Sequence, residues 1–297
     1  MLALVAGRGG LPAAVVQSLD AAPLVCSLQG NTPDTLSVDV VFRIETLGSF
    51  LHDLIDRGVT DVCFCGGVSR PNVDPSLIDA RTAPLVPRLA AVLAGGEDSA
   101  LRVIIDVFEE AGLRVRGAHD LAPDLLPRTG VATVARATAG IETQIELADR
   151  VLAEQSEQDL GQACVIRGSD VIAREDTRGT DAMLADLAEP YPGPDIPLDP
   201  FQFAVEKVGE ALDLAADWLS GPVAEARAQA EGGILFKAPK PGQDRRVDLP
   251  TIGPTTAMRA AEAGLDGIVI QAGGVIVLDV PQVVRILDAM GMFLWVR

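Results

Sequence analysis

The stretch LALVAGRGGLPAAVV, residues 2–16, reads as a buried strand, a glycine turn and a helix in immediate succession. Five apolar residues, Leu2 to Ala6, are bounded by glycine and are too few for a helix, so they predict a strand covered on both faces. Gly7-Arg8-Gly9-Gly10 then turns the chain. Pro12 suits the first turn of a helix, where its missing N–H has no partner to lose. A glycine turn entering a helix presents backbone N–H groups to an anion. Gly9, Gly10 and Leu11 are therefore candidate substrate contacts. The spacing approaches G-x-G-x-x-G, but Pro12 takes the place of the third glycine. The next strand, residues 23–28, ends without the acidic residue a dinucleotide site uses for its ribose. Both departures count against a nicotinamide cofactor.

Outward from this unit, strand and helix keep alternating. A helix over residues 47–57 leads to a strand over 61–65, which breaks at Gly66-Gly67-Val68-Ser69-Arg70-Pro71. Such turns after parallel strands line the ligand crevice of open α/β sheets, so Gly66, Gly67, Val68 and Ser69 are candidate contacts. A plain connection reads the same way. A helical region runs to Leu93, then Gly95-Gly96-Glu97-Asp98 opens a helix with Asp98 as its cap and Leu101, Ile104, Ile105 and Phe108 as its apolar stripe. The strand 113–115 delivers His119, a ligand contact or a satisfied loop histidine. Residues 1–135 thus predict an N-terminal Rossmann-like open sheet binding a nucleotide or phosphate.

A polar connection at 136–140 marks the expected domain boundary, and residues 141–297 read as a mixed α/β domain. A helix over 141–154 precedes a hairpin, strands 162–167 and 171–174 about the turn Gly168-Ser169-Asp170. The polar run Glu175 to Asp181 opens the next helix, making Gly179, Thr180 and Asp181 candidate phosphate contacts or caps. A rigid proline-rich loop at 190–200 leads to a stripe at 201–219 with an acidic opposite face, which predicts a packing, lid or subunit-contact helix.

The chemistry concentrates in GGILFKAPKPGQDRRVDLPTIGPTT, residues 232–256. A short buried strand, 234–236, delivers Lys237 and Lys240, then Gln243, Asp244, Arg245, Arg246 and Asp248. Pro239, Pro241, Pro250 and Gly242 forbid a regular helix. An extended chain over 244–248 puts Asp244, Arg246 and Asp248 on one face. Two carboxylates with a cation between them suit a divalent metal and a phosphate together. A solvated, salt-bridged loop has the same composition, but it has no need of three prolines.

Bulk properties bound the rest. With 297 residues, 48% hydrophobic and 4% aromatic, the chain predicts one large or two medium domains with aliphatic cores. A net charge of −18 argues against nucleic-acid partners and anionic lipid, so any phosphate needs a local cationic pocket. Four scattered cysteines and two histidines disfavour a disulfide framework or a zinc site. The start resembles no signal peptide and no apolar run approaches a membrane span, so a cytoplasmic protein is expected.

LALVAGRGGLP (2–12), GGVSRP (66–71), GED…LR (96–102), GAHDLAPDLL (117–126), RGTDAML (178–184) and KAPKPGQDRRVDLPTIGPTT (237–256) together resemble the metal-dependent, LpxI-type UDP-2,3-diacylglucosamine pyrophosphatases of lipid A biosynthesis. The resemblance implies magnesium-dependent hydrolysis of UDP-2,3-diacylglucosamine to UMP and 2,3-diacylglucosamine 1-phosphate. It also implies two domains with the substrate between them, a homodimer, and transient contact with the inner membrane. The family's functional aspartate lies in KPGQDRRVDLP and carries onto Asp244 or Asp248, Asp244 being slightly favoured, as metal ligands. Lys237, Lys240 and Arg246 would then offset phosphate charge. Glu97 departs from an expected G-D-D triplet, and residues 190–230 look like added length. A non-catalytic nucleotide-binding regulatory module would use the same glycine turns, with both aspartates as structural ion-pair partners.

Overall fold

The computed structural model describes the chain except for residues 70, 94–96, 159 and 189–229. The proline-rich loop at 190–200 and the stripe at 201–219 lie outside the described residues. The chain forms two compact units.

The first unit is built on β1 (Leu2–Ala6), β2 (Leu24–Leu28), β3 (Val40–Phe42), β4 (Asp61–Cys65) and β5 (Arg114–Arg116), all parallel, in the order β3-β2-β1-β4-β5. Its helices are α1 (Leu11–Gln17), α2 (Leu47–Asp56), α3 (Val86–Leu93), α4 (Glu97–Glu110) and the single turn α5 (Ala118–Leu121). The apolar run of β1 is continuous because both faces are covered. Ala3 and Val5 join a core with Phe50, Leu54 and Phe108, while Leu4 and Ala6 join another with Val15, Cys63 and Cys65. This is the Rossmann-like arrangement that the opening stretch predicts. From β1 the order runs to β2 and β3 on one side and β4 and β5 on the other. The switch point, where such sheets bind ligands, is the crevice beyond the C-terminal ends of β1 and β4.

The second unit holds a mixed sheet in the order β6-β13-β11-β9-β7-β8. Its strands are β6 (Gly130–Val131), β7 (Ala163–Arg167), β8 (Asp170–Arg174), β9 (Ile234–Lys237), β11 (Gly267–Ile270) and β13 (Phe293–Val296). The three central strands β13, β11 and β9 are parallel, and the flanking pairs are antiparallel. Its helices are α6 (Ile141–Glu157), α7 (Thr180–Leu187), α8 (Pro254–Glu262) and α9 (Val280–Ala289). Two further strands, β10 (Thr251–Ile252) and β12 (Ile276–Val277), form a short pair. Gly267 is fixed by packing, since a Cβ there would stand 2.6 Å from the Phe293 ring. Among the described residues, no helix is long and apolar enough to cross a membrane.

The division of the chain is not contiguous. The first unit comprises Met1–Arg128, Pro239–Thr251 and Ala272–Val280, so the chain returns to it twice. The sequence reading placed one boundary at 136–140 and left the loop 237–256 wholly in the C-terminal domain. Apolar residues of the returning segments account for the difference. Ile276 is 1% exposed within the core of Leu4, Ala6 and Cys65, Leu249 and Leu278 pack against it, and Val247 packs on the other core. Residues 130–131, placed in the N-terminal domain by the sequence reading, pair instead with β13 of the second unit.

Candidate active site

The glycines after β1 and β4 meet each other first. Arg8 and Gly67 exchange two backbone hydrogen bonds of 2.9 Å. A Cβ on Gly7 would stand 2.4 Å from the Gly67 carbonyl oxygen, and one on Gly66, whose φ is +89°, 2.7 Å from that of Arg8. Those two glycines are therefore demanded by the fold. Asn31, 3% exposed in the loop after β2, holds the assembly together. Its Oδ1 accepts from the Ser69 N–H at 2.7 Å and from Arg8 at 3.4 Å, and its Nδ2 donates to the Ser69 carbonyl at 3.4 Å. The Gly9 N–H donates to Asp34 Oδ2 at 2.9 Å. A carboxylate thus already occupies the Gly9 amide, which counts against Gly9 as a contact for any phosphate.

Beyond these turns, at the switch point, lies a cavity of about 310 Å³. Its wall comprises Arg8–Leu11, Phe64–Gly67, Ala118 and His119, together with Arg245–Leu249, Thr251, Ile276 and Leu278. Gly10 and Gly67 differ from Gly7 and Gly66. A Cβ on Gly67 would meet nothing nearer than 4.0 Å, and one on Gly10 only Leu278 Cδ1 at 3.4 Å. The imidazole of His119 lies over Gly117, where a Cβ would clash at 2.4 Å, and its buried Nδ1 has no hydrogen-bond partner among the described residues. Cys65 also lines the wall, but a hydrogen bond with Cys63 and burial push its thiol well up, so it supplies no thiolate.

Residues 244–248 form a turn rather than the expected extended segment. The N–H groups of Val247 and Asp248 donate to the Asp244 carbonyl at 3.2 and 3.3 Å, and the Asp244 carboxylate accepts the Arg246 N–H at 3.0 Å. An aspartate that bonds the backbone two residues on favours such a turn over extension. Alternation of faces therefore does not apply. Asp244 is further gripped by the Arg246 guanidinium through contacts of 3.0 and 2.7 Å, and Arg246 also meets Glu109 at 2.7 Å. The Arg246 hydrogen bond holds the Asp244 carboxyl below the usual carboxylate range. Asp248, by contrast, lines the cavity and accepts from Gln243 Nε2. Gln243 is 8% exposed and also accepts the Lys240 N–H at 3.0 Å, so it fixes the loop that carries Asp248.

A second polar group lies in the second unit. Lys237, 8% exposed at the end of β9, donates from Nζ to Thr180 Oγ1 at 2.5 Å, and Thr180 donates to Glu175 Oε1 at 2.6 Å. The Gln162 N–H donates to the other carboxylate oxygen of Glu175. A Cβ on Gly161 would meet Glu175 Cγ at 2.3 Å, so that glycine makes room for the buried carboxylate. Asp181 accepts from Thr256 at 3.0 Å, and Gly179, with φ +90° and ψ 171°, makes the turn into α7.

The candidates thus sort into two groups. Gly9, Gly10, Leu11, Gly66, Gly67, His119, Arg246 and Asp248 share one cavity wall in the first unit. Lys237, Gly179, Thr180 and Asp181 belong to the second unit. Val68 is 54% exposed, Ser69 is tied to Asn31, and Asp98 falls in α4. Sequence reasoning overlooked Asn31, Asp34, Glu175 and the wall residues Ile276 and Leu278. The first two follow β2, where they stitch loops together in place of a ribose-binding acid at the strand's end.

No group of three or more His, Cys, Asp or Glu side chains among the described residues forms a ready-made metal cage. Magnesium does not require one, because a single carboxylate with substrate phosphates and water often holds it. The donor set at Asp248 fits that mode.

Profiles of the LpxI N-terminal domain and the LpxI C-terminal domain match residues 1–125 and 128–295. The chain therefore belongs to the LpxI family. It is 35% identical over 300 residues to the UDP-2,3-diacylglucosamine pyrophosphatase LpxI of Caulobacter vibrioides, covering 98% of this chain and 95% of that one.

Proposed function

We propose that the protein hydrolyses UDP-2,3-diacylglucosamine to UMP and 2,3-diacylglucosamine 1-phosphate with the help of magnesium. The observation that carries this reading is the end-to-end similarity to the Caulobacter enzyme. The cavity at the switch point supports it with backbone glycines, arginines and one carboxylate on a single wall. Its volume of about 310 Å³ is at the small end for a ligand site, so the two acyl chains need apolar surface elsewhere.

In this reading water adds to one phosphorus of the pyrophosphate and the P–O bond to the bridging oxygen breaks. Asp248 would hold magnesium, which when bound offsets the charge that builds on the phosphate oxygens. Gln243 fixes the Asp248 carboxylate through its Nε2 donor. Gly10 and Gly67 leave the wall low enough for a phosphate or base to approach the backbone. The same reading carries a cytoplasmic homodimer that touches the inner membrane transiently to collect its substrate.

The test is release of UMP from UDP-2,3-diacylglucosamine, measured against magnesium concentration. Magnesium-dependent release is expected. Its absence with folded protein would favour the regulatory-module reading, which the tight pairing of Asp244 with Arg246 independently fits.

A further inference from the structure

Two adjacent arginines, Arg245 and Arg246, line the same cavity, and the structure treats them differently. Arg246 is already neutralised. Its Nε and Nη2 lie on Asp244 and its Nη1 on Glu109, so two carboxylates share one guanidinium. A phosphate approaching Arg246 meets that negative charge as well. The guanidinium of Arg245 makes no hydrogen bond or ion pair with any described residue. It lies over the Gly273 backbone, where a Cβ would stand 3.8 Å from its Nη2. Arg8, the remaining arginine of the wall, donates to the Gly30 carbonyl at 3.0 Å and is tied to Asn31. One fork-shaped cation of this cavity thus keeps its donors for something else.

We propose that Arg245 is the residue that grips the substrate's pyrophosphate, and that Arg246 is a strut holding the loop in shape. The inference rests on the reading of the cavity as the site of a nucleoside-diphosphate lipid. Planar guanidinium donors match two phosphate oxygens at once, which a lysine ammonium does not. In a chain of net charge −18, a diphosphate needs such a local cation to approach at all. The turn at 244–248 explains the division of labour. Asp244 bonds both the Arg246 N–H and the Arg246 side chain, which commits that arginine to the turn.

The experiment titrates UDP, which carries the pyrophosphate without the lipid, into wild type, Arg245→Gln, Arg245→Lys and Arg88→Gln. Arg88 pairs with Glu110 outside the cavity wall, so Arg88→Gln removes one positive charge and its surface ion pair but no cavity contact. Arg245→Gln is expected to weaken UDP binding by about 10–100-fold. Arg245→Lys should fall between it and wild type, and Arg88→Gln should stay within about twofold of wild type. KM for the full substrate should rise in parallel in Arg245→Gln, with an unchanged melting temperature. Equal UDP affinity in folded Arg245→Gln and wild type overturns the assignment. So does an equal loss in Arg88→Gln, which would mean net charge alone acts. If wild type itself binds no UDP, the reading of the cavity fails, and the role of Arg245 falls with it.

Discussion

Two of the protein's cation–carboxylate pairs have similar chemistry in opposite surroundings. In the first unit Arg246 and Asp244 meet at 2.7 Å with side chains 36% and 22% exposed. In the second, Lys237 and Glu175 lie 4.0 Å apart, each 8% exposed, with Thr180 bonded to both. Water can replace either partner of the first pair, so its net worth is small. Removing a partner of the second takes a charge out of buried surroundings, which costs far more. The contrast shows that residue type and spacing identify where charges gather, while burial decides whether they hold the fold or remain for chemistry.

The largest effect is expected at the buried pair. Lys237→Met should destabilise the second unit by about 3–5 kcal/mol, because Glu175 loses its compensating charge. Calorimetry should show this as a melting drop on the order of ten degrees. Adding Glu175→Gln should restore part of it. An unchanged melting curve in the single variant would mean that the pair is as wet as its counterpart, and the comparison would collapse.

Next comes Asp248→Asn, which keeps volume and removes the cavity's carboxylate. Turnover should fall on the order of 10²-fold, roughly 2.7 kcal/mol of barrier, with little change in melting. A melting loss with near-normal turnover would move Asp248 into the structural class of Glu175.

A smaller change tests the open wall. Gly67→Val has room within the chain, so the fold should persist while KM rises about tenfold, ~1.4 kcal/mol. Wild-type KM would show that no ligand passes this point.

Smallest of all is Asp244→Asn, about 0.5 kcal/mol at neutral pH. Arg246 depresses the folded-state carboxyl, so the contribution is present above the ordinary carboxylate range and is lost as pH falls through the lowered value. Melting temperatures of wild type and variant should therefore converge in acid. A gap that widens toward low pH would contradict the assignment of the ion pair.

Much of the fold was legible because each signal was local. The limits of β1 and β4 follow from short apolar runs, and the hairpin of β7 and β8 from Gly168-Ser169, where φ is +58° at the glycine. β3 was missed because Val40–Phe42 is too short to show a period. The candidate site was half legible. Glycines announce a turn, but only the Gly7–Gly67 clash and the openness at Gly67 separate glycines kept for packing from those facing the cavity. Burial of Glu175 and the commitment of Arg246 to Asp244 are tertiary facts, and neither leaves a mark on spacing.

The chain's double return has a consequence for synthesis. Domains emerge from the ribosome N-terminus first, so β1 to β5 and their helices are made long before Arg245, Asp248, Ile276 and Leu278. A nascent first unit can pair its sheet, but it exposes the Leu4 and Ala6 side of its core where Ile276 belongs and lacks half its cavity wall. It follows that no prematurely terminated chain ending before Ala272 can carry the finished cavity, whose wall is complete only when translation has run nearly to its end.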